Sequence, residues 1–304
     1  MTDEVTPEPG LLLVDKPAGV TSHRAVQTAR RCLGVRRIGH TGTLDPFATG
    51  LLLLCVGSFT RTAEYFHALP KRYAATMRLG QQRDTDDLTG KVIEDSEAWR
   101  DLDEHAVVSA LEAKVGPGEQ VPSTFSAKKV DGVRAYAEAR AGRAVELAPV
   151  PVVIHKARVT GLALPHVEFE VEVSTGTYVR ALARDLGRDL NCGGYLTALR
   201  RTGIGPFEVA EACELAVLER GGTVPLPAWR DAGPALSWLP RRDLEPEEVE
   251  ALEHGRSIAI GSVTAPPGPG RVDGPIGLLR GDRLVAVGRI EDGRLRPQKV
   301  FPAC

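Results

Sequence analysis

One acidic side chain, Asp45, lies in a segment that could hold it rigidly enough for chemistry. The segment over residues 39–50 reads GHTGTLDPFATG, and an apolar run at 51–56 follows it. Pro46 disfavours helical geometry at Asp45, the glycines permit sharp turns, and the apolar run has the length of a buried strand. The pattern is compatible with a catalytic carboxylate at a strand end. It is also compatible with an Asp-Pro turn whose carboxylate accepts nearby backbone amides, which local chemistry alone favours.

The elements that would position such a loop follow from the spacing of apolar residues. Apolar and polar residues alternate over 72–79 and 167–173, which is typical of half-exposed strands. Apolar side chains then recur at helical spacing over 179–190, which predicts a helix just past the second strand. Arg180 lies in its first turn, where the helix dipole disfavours a cation, so a bound carboxylate nearby would explain its position.

Basic residues are concentrated near the start of the chain. The whole sequence has 38 Lys and Arg against 40 Asp and Glu, which does not by itself indicate a nucleic-acid partner. Residues 16–37 nevertheless contain Lys16 and five arginines without a single acid, and Thr21 or Ser22 can cap a helix there that ends at Gly34. The stripe could bind phosphates or could be a solvated helix face, and composition does not decide between the two.

Composition excludes several protein classes. Five scattered cysteines without a Cys-x-x-Cys pair argue against a zinc site or a disulfide framework, so we expect a reducing cytoplasm. The first ten residues hold three acids and two prolines, which predicts a disordered tail over 1–10 and no signal peptide. No run approaches the roughly 18 apolar residues of a membrane helix. We therefore expect a globular protein that binds neither metal nor membrane.

The loop over residues 39–50 resembles the signature loop of the bacterial TruB family, the tRNA pseudouridine-55 synthases. Further motifs similar to those of the family follow in the family's order and together span residues 11–207. They are Lys16-Pro17 with Gly19, Thr21 and Ser22; Lys71-Arg72-Tyr73 with Leu79-Gly80; Asp84-Thr85-Asp86 with Gly90; Gln120-Val121-Pro122-Ser123 with Ser126-Ala127-Lys128; Gly176-Thr177-Tyr178-Val179-Arg180 with Asp185-Leu186-Gly187; and Leu199-Arg200-Arg201.

The resemblance implies three catalytic residues. Asp45 would be the nucleophile, and Arg180 would pair with it and keep it ionised and aimed. Tyr73 would stack on the uracil after it is flipped out of the RNA, and its hydroxyl could help to move a proton. A half-buried tyrosine on a strand is common, so Tyr73 also has a purely structural interpretation.

The resemblance also implies four substrate-binding residues. His40 would fill the space left by the extracted base or contact the RNA, and Lys16 would support the site or touch a phosphate. Tyr178 and Leu199 would line the uridine pocket, although plain core packing would explain both. A few positions depart from the family pattern, among them Phe125, which stands where a tyrosine is frequent.

The implied fold is α+β, a pseudouridine-synthase-like mixed and mostly antiparallel sheet with flanking helices and a central cleft. The composition shifts near residue 222, and short strands separated by tight turns are predicted beyond it. These strands resemble a small PUA-like β-barrel. We expect a catalytic domain over residues 11–230 and an RNA-binding PUA-like domain over 235–304.

The expected activity is isomerisation of uridine 55 in the tRNA T-loop, by a monomer without a cofactor, since the reaction is a redox-neutral isomerisation. The expected partner is therefore the T-arm of tRNA. One alternative is a tRNA-binding folding helper that acts on the T-arm, with catalysis secondary. Another is a glycoside-cleaving enzyme, but such enzymes usually need a second acid nearby, and no other acid lies in a comparable loop.

Overall fold

The computed structural model describes residues 9–123, 129–130, 133–134, 147–266 and 274–302. The predicted motif residues 126–128 and Phe125 lie outside this part of the chain. The described helices are α1 Ser22–Leu33, α2 Ala63–His67, α3 Glu104–Glu112, α4 Val179–Asp189, α5 Leu215–Glu219 and α6 Pro246–Glu253. Single 3-10 turns lie at Gly57–Thr62, Ala98–Asp101, Val209–Glu211, Leu226–Ala228 and Pro234–Leu236.

The described strands belong to one large sheet, a smaller C-terminal sheet and two short hairpins. In chain order they are β1 Gly10–Lys16, β2 Ile38–His40, β3 Thr49–Val56, β4 Lys71–Leu79, β5 Gln81–Arg83, β6 Val92–Asp95, β7 Gly116–Gln120, β8 Lys129–Val130, β9 Val133–Arg134, β10 Val150–Ala163, β11 His166–Val173, β12 Gly194–Ile204, β13 Phe207–Glu208, β14 Cys213–Glu214, β15 Trp229–Asp231, β16 Arg241–Asp243, β17 Ile276–Arg280, β18 Arg283–Glu291 and β19 Arg294–Val300.

The large sheet is mixed and mostly antiparallel, which confirms the part of the predicted fold that concerns the first domain. Its main path runs β14-β1-β3-β12-β4-β11-β10-β7, and β2, β13 and β15 pair at its sides. Only two of its pairings are parallel, β1 with β14 and β3 with β12. The second of these brings the start of β3, just after the Asp45 loop, against Arg200 and Arg201 of β12.

Two helices that flank the site begin and end close to the predicted residues. The Thr21 side chain accepts a hydrogen bond from the backbone N–H of Arg24 and so caps α1, and Gly34 ends the helix at a φ of 67°. Helix α4 buries Leu182 and Leu186, which belong to the main hydrophobic core. The apolar spacing that predicted both helices therefore corresponds to their buried faces.

Strands β1 and β3 are apolar along their whole length because both of their faces are covered. Leu12 and Val14 of β1 pack into the core beneath α1 and α4. Leu11 and Leu13 point the other way, into a second core that includes Leu236 and other residues from the C-terminal part of the chain. The strand that leads to the site is thus fixed between two hydrophobic layers.

The C-terminal part contains an open sheet in the order β16-β17-β18-β19, with α6 packed against it. The predicted closed barrel is not formed by the described strands, since β16 and β19 remain separate edges. Isolated bridges pair Thr264 with Arg241 and Ile258 with Leu295, so one irregular segment touches both edges. Edge pairing by irregular backbone leaves no periodic pattern, which is why hairpin spacing could not predict the outcome.

None of the helices in the described ranges has the length and apolar character needed to cross a membrane.

Candidate active site

Asp45 lies in the loop between β2 and β3, and the backbone on both sides of it is held by hydrogen bonds. The Ser22 hydroxyl accepts from the Leu44 N–H at 2.9 Å and lies 3.1 Å from the Leu44 carbonyl oxygen, to which it donates. The Gly19 N–H donates to the Pro46 carbonyl at 2.7 Å. Asp45 is therefore flanked by two residues that α1 and the turn before it fix in place.

Arg201 of β12 holds the same loop from the sheet side. Its guanidinium donates to the carbonyl of Leu51 at 2.7 Å and to that of Gly42 at 3.2 Å, and the residue is 2% exposed. Gly50 has a φ of 104°, and a Cβ added there would lie 2.3 Å from the Arg201 carbonyl oxygen. Only glycine permits this close approach of two backbones.

Asp45 and Arg180 form a two-point ion pair at the base of a cleft. Arg180 Nε donates to Oδ2 of Asp45 at 2.9 Å, and Nη2 donates to Oδ1 at 3.3 Å. The Arg180 side chain is 4% exposed, whereas that of Asp45 is 35% exposed. A buried planar guanidinium thus orients a carboxylate that is partly exposed in the cleft, and this geometry is compatible with a reacting group.

The far side of the Arg180 guanidinium is also fixed. Nη1 donates to the Thr85 carbonyl at 2.9 Å and to the Ser123 hydroxyl at 3.0 Å, and it lies 3.7 Å from Oδ2 of Asp87. Asp87 in turn accepts from Thr89 through both its N–H and its hydroxyl. The turn around residues 84–89 therefore positions the arginine that orients Asp45.

The same turn makes a second buried ion pair with α4. Asp86 lies 3.2 Å from Arg184 Nη1, and burial raises the pKa of the Asp86 carboxyl. Its spacing with Asp84 and Asp87 resembles a cation loop, but these carboxylates accept hydrogen bonds from the chain itself. Within the described residues no group of three or more His, Cys, Asp or Glu side chains could hold a metal ion.

The cleft above Asp45 has a volume of about 350 Å³ and lies among the Asp45 loop, the end of β11 and the start of α4. It brings together five of the seven predicted site residues. They are Asp45, Tyr73, Tyr178, Arg180 and Leu199.

Two protein-family models match adjoining parts of this chain. The model described as TruB family pseudouridylate synthase (N terminal domain) matches residues 30–179. The model described as tRNA pseudouridylate synthase B C-terminal domain matches residues 180–221. This chain belongs to the TruB family. The two matches meet at Arg180, so the Asp45–Arg180 pair joins a residue from each part.

Curated TruB-family relatives are similar over nearly the whole chain. One from Thermobifida fusca is 43% identical over 302 residues, which cover 96% of this chain and 98% of the relative. One from Arthrobacter is 42% identical over 299 residues, covering 96% of each. Both carry the name tRNA pseudouridine synthase B.

Solved structures show the same fold at lower identity. A Cbf5-Nop10-Gar1 complex matches with a TM-score of 0.73 at 22% identity, covering 99% of this chain and 91% of the other. An H/ACA RNP bound to a substrate RNA matches with a TM-score of 0.71 at 23% identity, covering 97% and 85%. This TruB-family chain therefore has the pseudouridine synthase fold.

The two remaining predicted residues, Lys16 and His40, lie beside the cleft and do not line it. Lys16 is fully buried, and its ammonium donates to the carbonyls of Pro17 and Val20 at 2.8 Å each and to that of Pro46 at 3.4 Å. Burial lowers the pKa of Lys16 to about 8, although the charge of nearby Asp45 opposes the shift. This geometry fits support of the loop, one of the two roles expected for Lys16.

His40 is half-buried at the end of β2. Burial lowers the pKa of its imidazole, and the charges of Arg201, His67 and His23 lower it further. Its Nδ1 has no hydrogen-bond partner among the described residues. One ring nitrogen of His40 is therefore buried without a partner among the residues that the structure describes.

Sequence reasoning assigned no role to several residues that build the site. Arg201 and Gln120 occur in recognised motifs, but their function depends on distant backbone that no local pattern reveals. The Gln120 side-chain amide accepts from the Tyr178 N–H at 2.8 Å and donates to the Tyr178 carbonyl at 3.1 Å, which fixes the start of α4. Lys71 lines the cleft, and burial and Arg201 lower its pKa to about 8.

Proposed function

We propose that this protein isomerises uridine 55 in the T-loop of tRNA to pseudouridine, with Asp45 as the nucleophile. Membership of the TruB family supports the reaction, as do relatives named tRNA pseudouridine synthase B that cover nearly the whole chain. The observation that supports Asp45 is its two-point pair with Arg180 at the cleft.

The reaction breaks the N1–C1′ glycosidic bond, rotates the base and joins C1′ to C5, after which the C5 proton leaves. Asp45 can attack C1′ or C6, or assist loss of a C2′ proton, and its half-exposed carboxylate is compatible with each route. N1 takes up a proton as C5 loses one, so the product is an isomer of the substrate and no oxidation or reduction occurs. We infer a reaction without a metal or an organic cofactor.

The target base must leave the RNA stack to reach Asp45, and the enzyme must offer replacement contacts. Tyr73 on β4 lines the cleft and can stack on the flipped uracil, while its hydroxyl can accept or donate a proton. Tyr178 and Leu199 complete the uridine pocket. His40, beside the cleft, contacts the RNA, and Lys16 supports the loop through Pro46.

The proposal also assigns a role to each of the two predicted domains. Residues 11–230 form the catalytic domain, and residues 235–304 form a PUA-like RNA-binding domain with Arg294 and Arg296 exposed at its surface. The enzyme recognises the T-arm mainly by its shape and backbone and acts as a monomer in the cytoplasm.

Tritium release from tRNA labelled at uridine C5 tests the proposal, because formation of the new C5 bond expels that hydrogen. We expect release with the native chain and none above background with Asp45→Ala or Asp45→Asn, while tRNA binding persists. Asp103→Asn is the matched control, since this carboxylate caps α3 through the Ala106 N–H and asparagine caps equally well. A transcript with cytidine at position 55 should give no release from that site.

Two outcomes would contradict the proposal. Full turnover by Asp45→Asn would exclude Asp45 as the nucleophile. A native chain that binds and refolds tRNA without releasing tritium would favour the alternative of a tRNA-folding helper that acts on the T-arm.

A further inference from the structure

Helix α1 presents a continuous basic face to solvent. His23, Arg24, Gln27, Arg30 and Arg31 are all exposed, and their spacing places them on one side of the helix. The opposite side, with Ala25, Val26 and Ala29, is buried in the main core. Arg36 and Arg37 extend the exposed basic surface past the end of the helix. We call this surface the α1 basic face.

Three arginines of the α1 basic face donate hydrogen bonds, and their partners among the described residues are all neutral. Arg30 donates to the Ile38 carbonyl at 2.8 Å, Arg31 to the Thr28 hydroxyl at 3.3 Å, and Arg37 to the Thr60 hydroxyl at 2.8 Å. Across the described ranges no carboxylate forms an ion pair with any of the five arginines of this face, Arg24, Arg30, Arg31, Arg36 and Arg37.

Some exposed arginines elsewhere in the chain are paired with carboxylates, as Arg100 is with Glu97 at 3.0 Å and Arg158 with Glu170 at 2.7 Å. Others have neutral partners, as Arg61 has in the Val300 carbonyl. The α1 basic face differs because five arginines without a carboxylate partner lie close together in the chain, over residues 24–37, with no acid among them.

One of these charges is unfavourable for the helix itself. Arg24 lies in the first turn of α1, which contains no acidic residue, so its charge meets the positive end of the helix dipole. Arg30 and Arg31 lie in the last turn, where the dipole favours cations. A negatively charged ligand at Arg24 would remove the disadvantage at the start of the helix.

The α1 basic face begins at the rim of the cleft. Ser22, the first residue of α1, bonds to Leu44, the residue before Asp45. His23 and His67 both act electrostatically on His40, and His67 lines the cleft. From Arg24 the helix runs about 10 Å to Arg31, given a rise of about 1.5 Å per residue. An RNA strand presents several phosphates over that distance.

We propose that the α1 basic face binds consecutive phosphates of the tRNA strand that leads into the cleft. This inference rests on the proposed function for the identity of the RNA. Its ligand is the sugar-phosphate backbone, so it contributes affinity and register without reading base sequence. The basic residues over 16–37 would then form a phosphate-binding surface and not only a solvated helix face.

The test is tRNA binding by Arg24→Gln/Arg31→Gln over a range of salt concentrations. Each lost phosphate contact should reduce the slope of log K against log salt by about 0.7 to 0.9. The double variant should thus lose about 1.4 to 1.8 of slope and bind about 25- to 60-fold more weakly at 0.1 M salt. Tritium release at saturating tRNA should stay within about twofold of native, since neither residue touches the cleft.

Two further variants isolate the cause. Arg100→Gln/Arg158→Gln removes the same charge from arginines that are already paired with carboxylates, and it should leave the slope and the Kd unchanged. Arg24→Lys/Arg31→Lys keeps the charges on α1 and should retain the native slope. The Tm of each variant reports folding, and glutamine is a good helix former.

A native slope and Kd in Arg24→Gln/Arg31→Gln would overturn the proposal, as would an equal loss in the Arg100→Gln/Arg158→Gln control. Failure of the proposed function would look different. In that case the native chain would release no tritium, while the salt dependence of RNA binding would still report on α1.

Discussion

Replacement of Arg180 by lysine keeps the positive charge beside Asp45 but removes the planar guanidinium that donates two hydrogen bonds to it. The native guanidinium donates two hydrogen bonds to Asp45 and further bonds to Thr85 and Ser123. A lysine ammonium has three donors at one point, so it cannot reproduce this set from the same position. Arg180→Lys must therefore lose at least one of the two bonds that aim the carboxylate.

The expected loss of rate follows from that one bond. A hydrogen bond to a charged group is worth about 1.5 to 3 kcal/mol. If the bond acts on the reacting carboxylate in the transition state, kcat falls by about 10- to 150-fold. The KM should change little, because Arg180 is only 4% exposed and its guanidinium is bonded to Asp45.

Single-turnover tritium release at saturating tRNA measures this effect. Arg184→Lys is the matched control, since Arg184 also lies on α4, is largely buried and is paired with a different carboxylate, Asp86. Both variants should unfold at a lower temperature than the native chain, but only Arg180→Lys should lose rate. A native kcat in Arg180→Lys, or an equal loss in Arg184→Lys, would show that the two-point geometry does not orient Asp45.

Two further predictions concern the groups that hold the loop. Because the pKa of Lys16 falls from 10.5 to about 8 on folding, the unfolded chain binds more protons between these values. As the pH rises from about 8 to about 10.5, the free energy of unfolding of the native chain should therefore increase by about 3 kcal/mol relative to that of Lys16→Met. Urea unfolding at a series of pH values measures this difference. A difference between the two proteins that does not change with pH would contradict the lowered pKa of Lys16. Gly50→Ala should lower the Tm and kcat much more than Gly19→Ala does. Both glycines have a positive φ, but only at Gly50 would an added Cβ lie 2.3 Å from a backbone atom, the carbonyl oxygen of Arg201. Equal losses in the two alanine variants would mean that the Arg201 contact is irrelevant.

The sequence predicted those parts of the site that depend on local pattern or on family motifs. The cap at Thr21, the glycine at 34 and the alternating strands β4 and β11 follow directly from residue types. Resemblance brought Asp45 and Arg180 together although 135 positions separate them. The predicted RNA-binding barrel depends on how edge strands are covered, and apolar spacing carries no information about that.

Buried polar residues were the hardest to predict. Lys16 follows an apolar strand, and nothing local shows whether its ammonium reaches solvent or turns inward to carbonyl oxygens. The structure decides this because β1 is covered on both faces. The role of Arg201 was equally hard to predict. Its hydrogen bond to Leu51 spans 150 positions and depends on the parallel register of β3 and β12.

The residues that hold the Asp45 loop are buried, whereas Asp45 itself is partly exposed. The groups that fix the loop and the arginine are buried, as Ser22, Lys16, Arg180 and Arg201 all are, whereas Asp45 alone keeps about a third of its side chain exposed. Buried hydrogen bonds between charged groups and carbonyls are costly to break, so the loop has few alternative positions. A carboxylate held in this way loses little further freedom when the base arrives, and binding energy from the RNA is left to extract the uridine.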